Sequence, residues 1–270
     1  DLEAAGVDVR AGTSEECDRR RVRGLIVARD PSGNVMDIVA RPAACGRRYF
    51  PSRDAGITHF SHVGLHTVDA RADEAFWVDN MGAKVSDWIG DAALIRINEI
   101  HHNVALFPST RAGIQHVNFQ VETQDDIMRS FYFLQQNNVK TVFGPGRHPT
   151  SGARFLYLQG PDDIIYEYSC GVRSITADDE KTYVPRSFPF EPSSFCMWGA
   201  RPDIPEFDTT RGWSRTCSAA RGARAGAPRP CPRVWTCFDA AVGHAFPRQR
   251  GTAARHACAG TRRGRGPARR

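Results

Sequence analysis

Seven of the nine histidines in this chain fall between His59 and His148, a concentration that suits metal or proton chemistry, because imidazole is the commonest metal ligand and titrates near neutrality. Two of them occupy matching places. Ser61-His62-Val63-Gly64-Leu65-His66-Thr67 and Gln115-His116-Val117-Asn118-Phe119-Gln120-Val121 share the pattern histidine, apolar, small or polar, apolar, polar, β-branched, with the two histidines 54 residues apart. An acid, Glu167, stands in a strand-like run further on. If the two repeats pair about a pseudo-twofold axis, His62, His116 and Glu167 point into one cleft. Two neutral imidazoles and a carboxylate on one side of a metal, with open positions opposite, form the facial triad of non-haem Fe(II) oxygenases and suit Fe(II) or Mn(II). His59 competes with His62, since Gly56-Ile57-Thr58-His59 mimics Gly113-Ile114-Gln115-His116; the count from strand into helix favours His62. Asp37 sits at the repeat position of Glu167, but residues 1–55 hold no histidine, so it reads as a surface or structural acid.

The elements that must position these residues follow from hydrophobic period. Each histidine-bearing run alternates as a half-buried strand does and leads into a helix-like stretch, 69–80 in one copy and 123–136 in the other. Thr123 is the expected N-cap, with Ile127, Phe131 and Leu134 on one face, and Gly82 and Asn137-Asn138 are the stops. Short strand-like runs come next: 85–88, 93–97 and 104–107, then 141–143, 154–159 and 164–169. Each copy reads βαβββ, so the fold class is α+β, with paired βαβββ modules forming a curved sheet around a metal cleft. A third, incomplete copy opens the chain. Asp30-Pro31-Ser32-Gly33-Asn34 feeds the run 35–38 as Gly160-Pro161-Asp162-Asp163-Ile164 feeds the later one. Only the end of a helix and the start of a strand precede it, which predicts that the chain begins inside a domain.

Composition separates body from tail. The 270 residues carry 36 Lys+Arg and 30 Asp+Glu, but the 62 residues after Asp208 hold 14 Arg, no Lys and one acid, leaving a body of net −7 and a tail of net +13. The tail has too little apolar surface to offset chain entropy and is expected to be disordered. Its arginines would attract phosphate, yet without Lys, regular aromatics or a zinc-finger spacing it predicts no specific nucleic-acid partner. A reading-frame shift near Asp208 in a GC-rich gene would also produce Arg, Ala, Gly and Pro in this proportion. The expected division is thus 1–55, the incomplete opening copy; 56–207, the two modules that carry the triad; and 208–270, the tail. No window approaches 18 consecutive apolar residues, so no membrane span is expected and a cytoplasmic protein is the default. Eight cysteines without a C-x-x-C pair read as isolated reduced thiols.

Taken together, several short runs resemble the type I extradiol ring-cleavage dioxygenases of the vicinal oxygen chelate superfamily. They are His62-Val63-Gly64-Leu65, the doublet His101-His102 before an apolar strand, Ile114 to Phe119, Gly146-Arg147-His148, Tyr157 nine residues later, Glu167 ten beyond, and Met197-Trp198-Gly199. The likeness spans roughly residues 1–207 and implies that 1–55 is the remnant of a metal-free N-terminal domain and 56–207 the catalytic C-terminal domain. It implies an enzyme that inserts both atoms of O₂ into a catechol beside its two hydroxyls at Fe(II), with Mn(II) as the alternative, in the degradation of aromatic compounds. It further implies a homo-oligomer, with His102 as acid/base and His148 and Tyr157 touching the substrate oxygens. His101 would be a structural neighbour, since adjacent strand residues face opposite sides. By position Ala105, Phe107, Pro189 and Phe190 would line an apolar mouth suited to a hydrophobic aryl or alkyl substituent, of the 2,3-dihydroxybiphenyl type or an alkylated ring such as dihydroxycumate. The rival reading is a glyoxalase-like isomerase or an antibiotic-binding protein of the same superfamily. His102, His148 and Tyr157 around an open triad argue against it, because binding alone needs no proton relay.

Overall fold

A computed structural model describes residues 2–44 and 51–210; Cys45 and what is expected of the tail from 211 onward lie outside the described residues. Three short strands come first, β1 (Val9–Ala11), β2 (Gly24–Arg29) and β3 (Val35–Ala40), paired antiparallel in the order β1-β2-β3. Residues 2–6 are turns, not the end of a helix. A helix absent from the sequence reading, α1 (Ser14–Arg20), lies between β1 and β2. It buries no residue, so it has no apolar stripe to betray it; a reciprocal cap between Thr13 and Glu16 starts it. Asp37 pairs with Arg20 at the surface.

The repeat emerges as expected. The first module runs β4 (Ile57–Thr67), α2 (Ala70–Ala75), β5 (Lys84–Ile89), β6 (Ala92–Arg96) and β7 (Val104–Pro108). The second runs β8 (Gly113–Val121), α3 (Gln124–Gln136), β9 (Thr141–Arg147), β10 (Arg154–Gln159) and β11 (Ile165–Cys170). Asp69 caps α2, which continues as a π-turn over Phe76–Asn80, and Thr123 caps α3 in a reciprocal box with Asp126. A last short strand, β12 (Arg186–Phe188), pairs parallel to β5, giving one mixed sheet in the order β12-β5-β6-β7-β4-β8-β11-β10-β9. Without β12 that order is a palindrome of modules about the antiparallel β4/β8 pair. The register is centred on Val63 opposite Val117, with His62 facing Asn118 and Gly64 facing His116.

Period-two alternation assigns each strand two jobs. Ala93 and Ile95 of β6, with Val104 and Leu106 of β7, pack against Phe76 and Trp77 beyond α2. Leu156 of β10 packs against Ile127 and Leu134 of α3. The alternate residues Leu94, Ala105, Phe107, Phe155 and Tyr157 point the other way and share one cluster with Phe143 of β9, Phe195 and Phe207. Because that cluster draws on strands from both halves of the sheet, the halves fold toward each other over the central pair. Each buried aromatic there adds about 1.5–3 kcal/mol, so the cleft walls are also the main core. The beginning of the chain is tied in by polar contacts. The buried carboxylate of Asp73 accepts from the Ser32 backbone at 3.0 Å and from the hydroxyls of Ser32 and Thr67. Asn34 bridges the His66 carbonyl and the Gly113 N–H. Among the described residues no helix is long and apolar enough to cross a membrane, and Cys17, Cys170 and Cys196 are free thiols.

Candidate metal centre and active site

His62 and His116 lie diagonally across the β4/β8 pair, one on each side of the module axis. Glu167, on β11, stands beside Asn118 of β8. All three side chains are buried. Their ligand atoms converge: His62 Nε2 and His116 Nε2 are 2.9 Å apart, and Glu167 Oε2 is 3.1 Å from the first and 3.4 Å from the second. Three ligands about 2.1 Å from one ion and at right angles to one another stand about 3.0 Å apart, which is the spacing found. Although it is this close to two ring nitrogens, Glu167 Oε2 makes no hydrogen bond, which leaves it available to a metal held among the three ligand atoms. This donor set fits a facially bound Fe(II) or Mn(II).

Two of the ligands, His116 and Glu167, are held in the protonation state a metal needs. His116 Nδ1–H donates to the Gln115 side-chain oxygen, which leaves Nε2 bare. Burial drives the His116 pKa down to about 4, although Glu167 opposes this. Burial alone would raise the Glu167 pKa, but the imidazoles of His116, His148 and His62 packed around it outweigh burial and keep the carboxylate ionised, well below the usual range. Gly64 supplies the room: a Cβ there would stand 2.3 Å from His116 Nδ1.

Symmetry also explains the open side. Glu167 is in register with Asn118, and the equivalent place in the first module, in register with Gly64, is Ala105. A methyl group therefore stands where a second carboxylate could have closed the centre, and the cavity opens there. Its apolar wall is Ile89, Leu94, Ala105, Phe107, Phe195 and Phe207. Ala105 and Phe107 were expected. Pro189 and Phe190 are not in the lining: β12 carries the chain along the outer edge of β5, and Phe190 turns to Phe195 and Gly90. The residues that cover the cavity, Phe195 and Phe207, lie on two short turns that no period announces. Their only sequence signals are that Phe195 precedes Met197-Trp198-Gly199 and that Phe207 is the last large apolar residue before the composition changes.

His102, His148 and Tyr157 all line the cavity. His102 stacks obliquely on His62, ring centres 4.2 Å apart. His101 does not face away, because residues 101 and 102 precede β7 and strand alternation does not govern them. Instead its Nε2–H donates to buried Asp87 at 2.9 Å and its Nδ1 lies 3.1 Å from His102 Nδ1. Burial lowers both pKa values, in His101 against the pull of Asp87, so both rings are neutral. Then His101 Nδ1 accepts from His102 Nδ1–H, and His102 Nε2 carries a free lone pair. Asp87 is fixed in turn by Arg186, whose Nε and NH2 donate at 3.0 and 2.6 Å. Opposite, His148 Nδ1–H donates to the Phe195 carbonyl at 2.8 Å, leaving Nε2 to accept from Tyr157 Oη at 3.3 Å. Burial and the Glu167 charge push the Tyr157 pKa well up, so it remains a phenol. His59 is exposed and bonded to Thr58; it is not part of the triad.

Residues 59–168 match the family model of the Glyoxalase/Bleomycin resistance protein/Dioxygenase superfamily. An iron-dependent extradiol dioxygenase of Rhodococcus jostii is 29% identical over 218 residues, 73% of this chain and 70% of that one. A 3-methylcatechol 2,3-dioxygenase of Pseudomonas putida is 29% identical over 195 residues, 65% of each. The Mn(II)-bound glyoxalase of Novosphingobium aromaticivorans superposes with a TM-score of 0.65 at 25% identity, covering 76% of this chain and 67% of that one. The chain thus spans about two thirds of the length of these relatives.

Proposed function

With residues 59–168 a domain of this superfamily, we propose that the protein is an extradiol dioxygenase. It would cleave a catechol bearing a hydrophobic aryl or alkyl group beside its two hydroxyls, adding both atoms of O₂, in the breakdown of aromatic compounds. The observation that carries this reading is the triad spacing of 2.9, 3.1 and 3.4 Å with its open side at Ala105. His62, His116 and Glu167 would hold Fe(II), with Mn(II) the alternative. When bound, the metal supplies a Lewis-acidic, redox-active centre at which a catecholate and O₂ can meet.

The remaining work falls to side chains. His102 Nε2, kept bare by the relay through His101 and Asp87, accepts a catechol hydroxyl proton and returns it to the ring-opened product. Tyr157, held as a phenol, would swing its single O–H from His148 Nε2 to the substrate oxygen on the other side, so that His148 is its acceptor only while the site is empty. Leu94, Phe107 and Phe195 exclude water and receive the substituent. Relatives that act on 3-methylcatechol and on biphenyl-2,3-diol support a hydrophobic substituent. Free described thiols support a reducing, cytoplasmic setting, and the family resemblance supports a homo-oligomer.

The test is anaerobic loading with Fe(II), then oxygen uptake with 3-methylcatechol and 2,3-dihydroxybiphenyl, each expected to give a yellow ring-opened product. His116→Ala should lose iron and turnover; His102→Ala should keep iron and lose turnover by about 10²–10⁴. Likeness to the manganese glyoxalase favours a second reading, a metal-dependent isomerase. No O₂ uptake with any catechol by the iron-loaded protein would exclude the first reading in favour of the second.

A further inference from the structure

A catechol has eight heavy atoms in one plane, and the space between Ala105 and the triad is about 30 Å³. That holds a water or two, at roughly 10–15 Å³ each, whereas ordinary small-molecule pockets measure about 300–1,000 Å³. Some part of the wall must therefore give way when a ligand enters. Leu94, Ala105, Phe107, His116 and Tyr157 lie on strands paired along both edges within the sheet, and their backbones shift only if ladders break. Phe195 is restrained through its carbonyl, which accepts from His148, and through the Met197 N–H, which donates to Arg147 at 2.8 Å.

Phe207 is held differently. It ends one turn of 3-10 helix, Pro205–Phe207. The backbone of the turn is anchored by Asp203 N–H to the Val142 carbonyl at 2.7 Å, by Phe207 N–H to Ile204 at 3.0 Å and by Asp208 N–H to Pro205 at 3.3 Å, and its flanks by side-chain pairs of Lys140 with Asp203 and His66 with Glu206. Segments with few backbone bonds open at the low end of a protein's local stabilities. Yet the Phe207 ring is 2% exposed. It lies 4.9 Å from Phe107, 5.0 Å from Phe195, 6.0 Å from Phe143 and 6.2 Å from Tyr157, centre to centre. It fills an aromatic slot beside the metal ligands with a six-membered ring of the size a substrate would bring.

We propose that Phe207 is an aromatic plug: its ring occupies the slot that receives the substrate's hydrophobic substituent, and its displacement admits the ligand and sets the largest substituent accepted. The plug itself follows from packing; that its displacer is a catechol rests on the ring-cleavage reading. Two measurements on the full chain separate these. Metal-free Phe207→Ala should bind indole, an apolar aromatic probe, at least tenfold more tightly than wild type by calorimetry, with Phe207→Leu in between. Equal affinities in all three would overturn the plug whatever the catechols do. With metal bound, association of 2,3-dihydroxybiphenyl, followed anaerobically by stopped flow, should be at least tenfold faster in Phe207→Ala and again intermediate in Phe207→Leu. Unchanged association would also overturn the plug. If no catechol binds any metal-loaded form while indole still distinguishes the variants, the plug stands and the ring-cleavage reading falls.

Discussion

Gly64→Ala adds one methyl group and should cost the protein its metal. The glycine lies opposite His116 on the adjacent strand, and a Cβ built there meets Nδ1 at 2.3 Å, Cε1 at 2.5 Å and the Gln115 side-chain oxygen at 3.0 Å. Restoring ordinary contact, about 3.5 Å, requires the imidazole to retreat by about 1 Å. Tyr157 and Phe107, with ring centres 5.3 and 5.9 Å from His116, limit that retreat. A metal ligand tolerates only about 0.2 Å. Loss of His116 from the triad should weaken metal binding by more than about 100-fold, the upper end of what removing a mere supporting group costs. Overpacking should lower stability by about 1–3 kcal/mol, leaving a folded protein by circular dichroism. Gly64 does not require a left-handed backbone, and neither does Gly24, where a Cβ would meet only Ala40 at 3.6 Å, so Gly24→Ala is the matched control. Metal content after dialysis and calorimetric titration with Fe(II) or Mn(II) read the result. A Gly64→Ala protein that binds metal like wild type would refute the packing of His116 over Gly64, and with it the geometry on which the triad rests.

Two other perturbations probe what surrounds the ligands. Asp87→Asn breaks the anchor of His101 and leaves Arg186 without its counter-charge. It should retain the metal and the KM while lowering kcat about tenfold, and cost about 2–3 kcal/mol in urea unfolding, below the figure for a fully buried pair because Arg186 is 38% exposed; an unchanged kcat would show that the relay does not orient His102. Acid should destabilise the metal-free protein. His116 has a pKa of about 4 when folded and near 6.5 when unfolded, so between those values the unfolded chain takes up the proton that the folded chain refuses. Stability present above pH 6.5 is lost on the way down, about 2 kcal/mol from this residue at pH 5, and buried His101 and His102 act in the same direction. Urea midpoints that coincide at pH 7 and pH 5 would contradict this.

The strands and helices around the site were legible because each serves two environments at a regular period. Ala92 to Arg96 and Arg154 to Gln159 alternate between the cleft cluster and the helix-facing clusters, and α3 has its apolar stripe and its Thr123 cap. His62, His116 and Glu167 were legible for a related reason: the repeat converts sequence spacing into spatial symmetry. What stayed hidden lacked a period. Helix α1 has no buried face, and only the Thr13 and Glu16 spacing marks it. His101 precedes β7, so strand alternation does not set the direction of its ring. The expected mouth at Pro189 and Phe190 lies a short distance along the chain from the actual cover at Phe195 and Phe207, since which of several neighbouring aromatics falls on the cleft depends on how β12 docks at the far edge.

The presence of Ala105 at the pseudo-symmetric place of Glu167 has a consequence that reaches past the metal. A duplicated scaffold left in perfect symmetry would offer its ion two imidazoles and two carboxylates, an anionic and nearly saturated cage that a dianionic ligand would enter against both charge and crowding. Trading one acid for a methyl makes the cage one charge more positive and vacates adjoining sites on the same side, where two guests can sit shoulder to shoulder. Reactivity at this centre would thus come from inequality between halves: one module supplies an imidazole and a carboxylate, and its twin supplies an imidazole and open space.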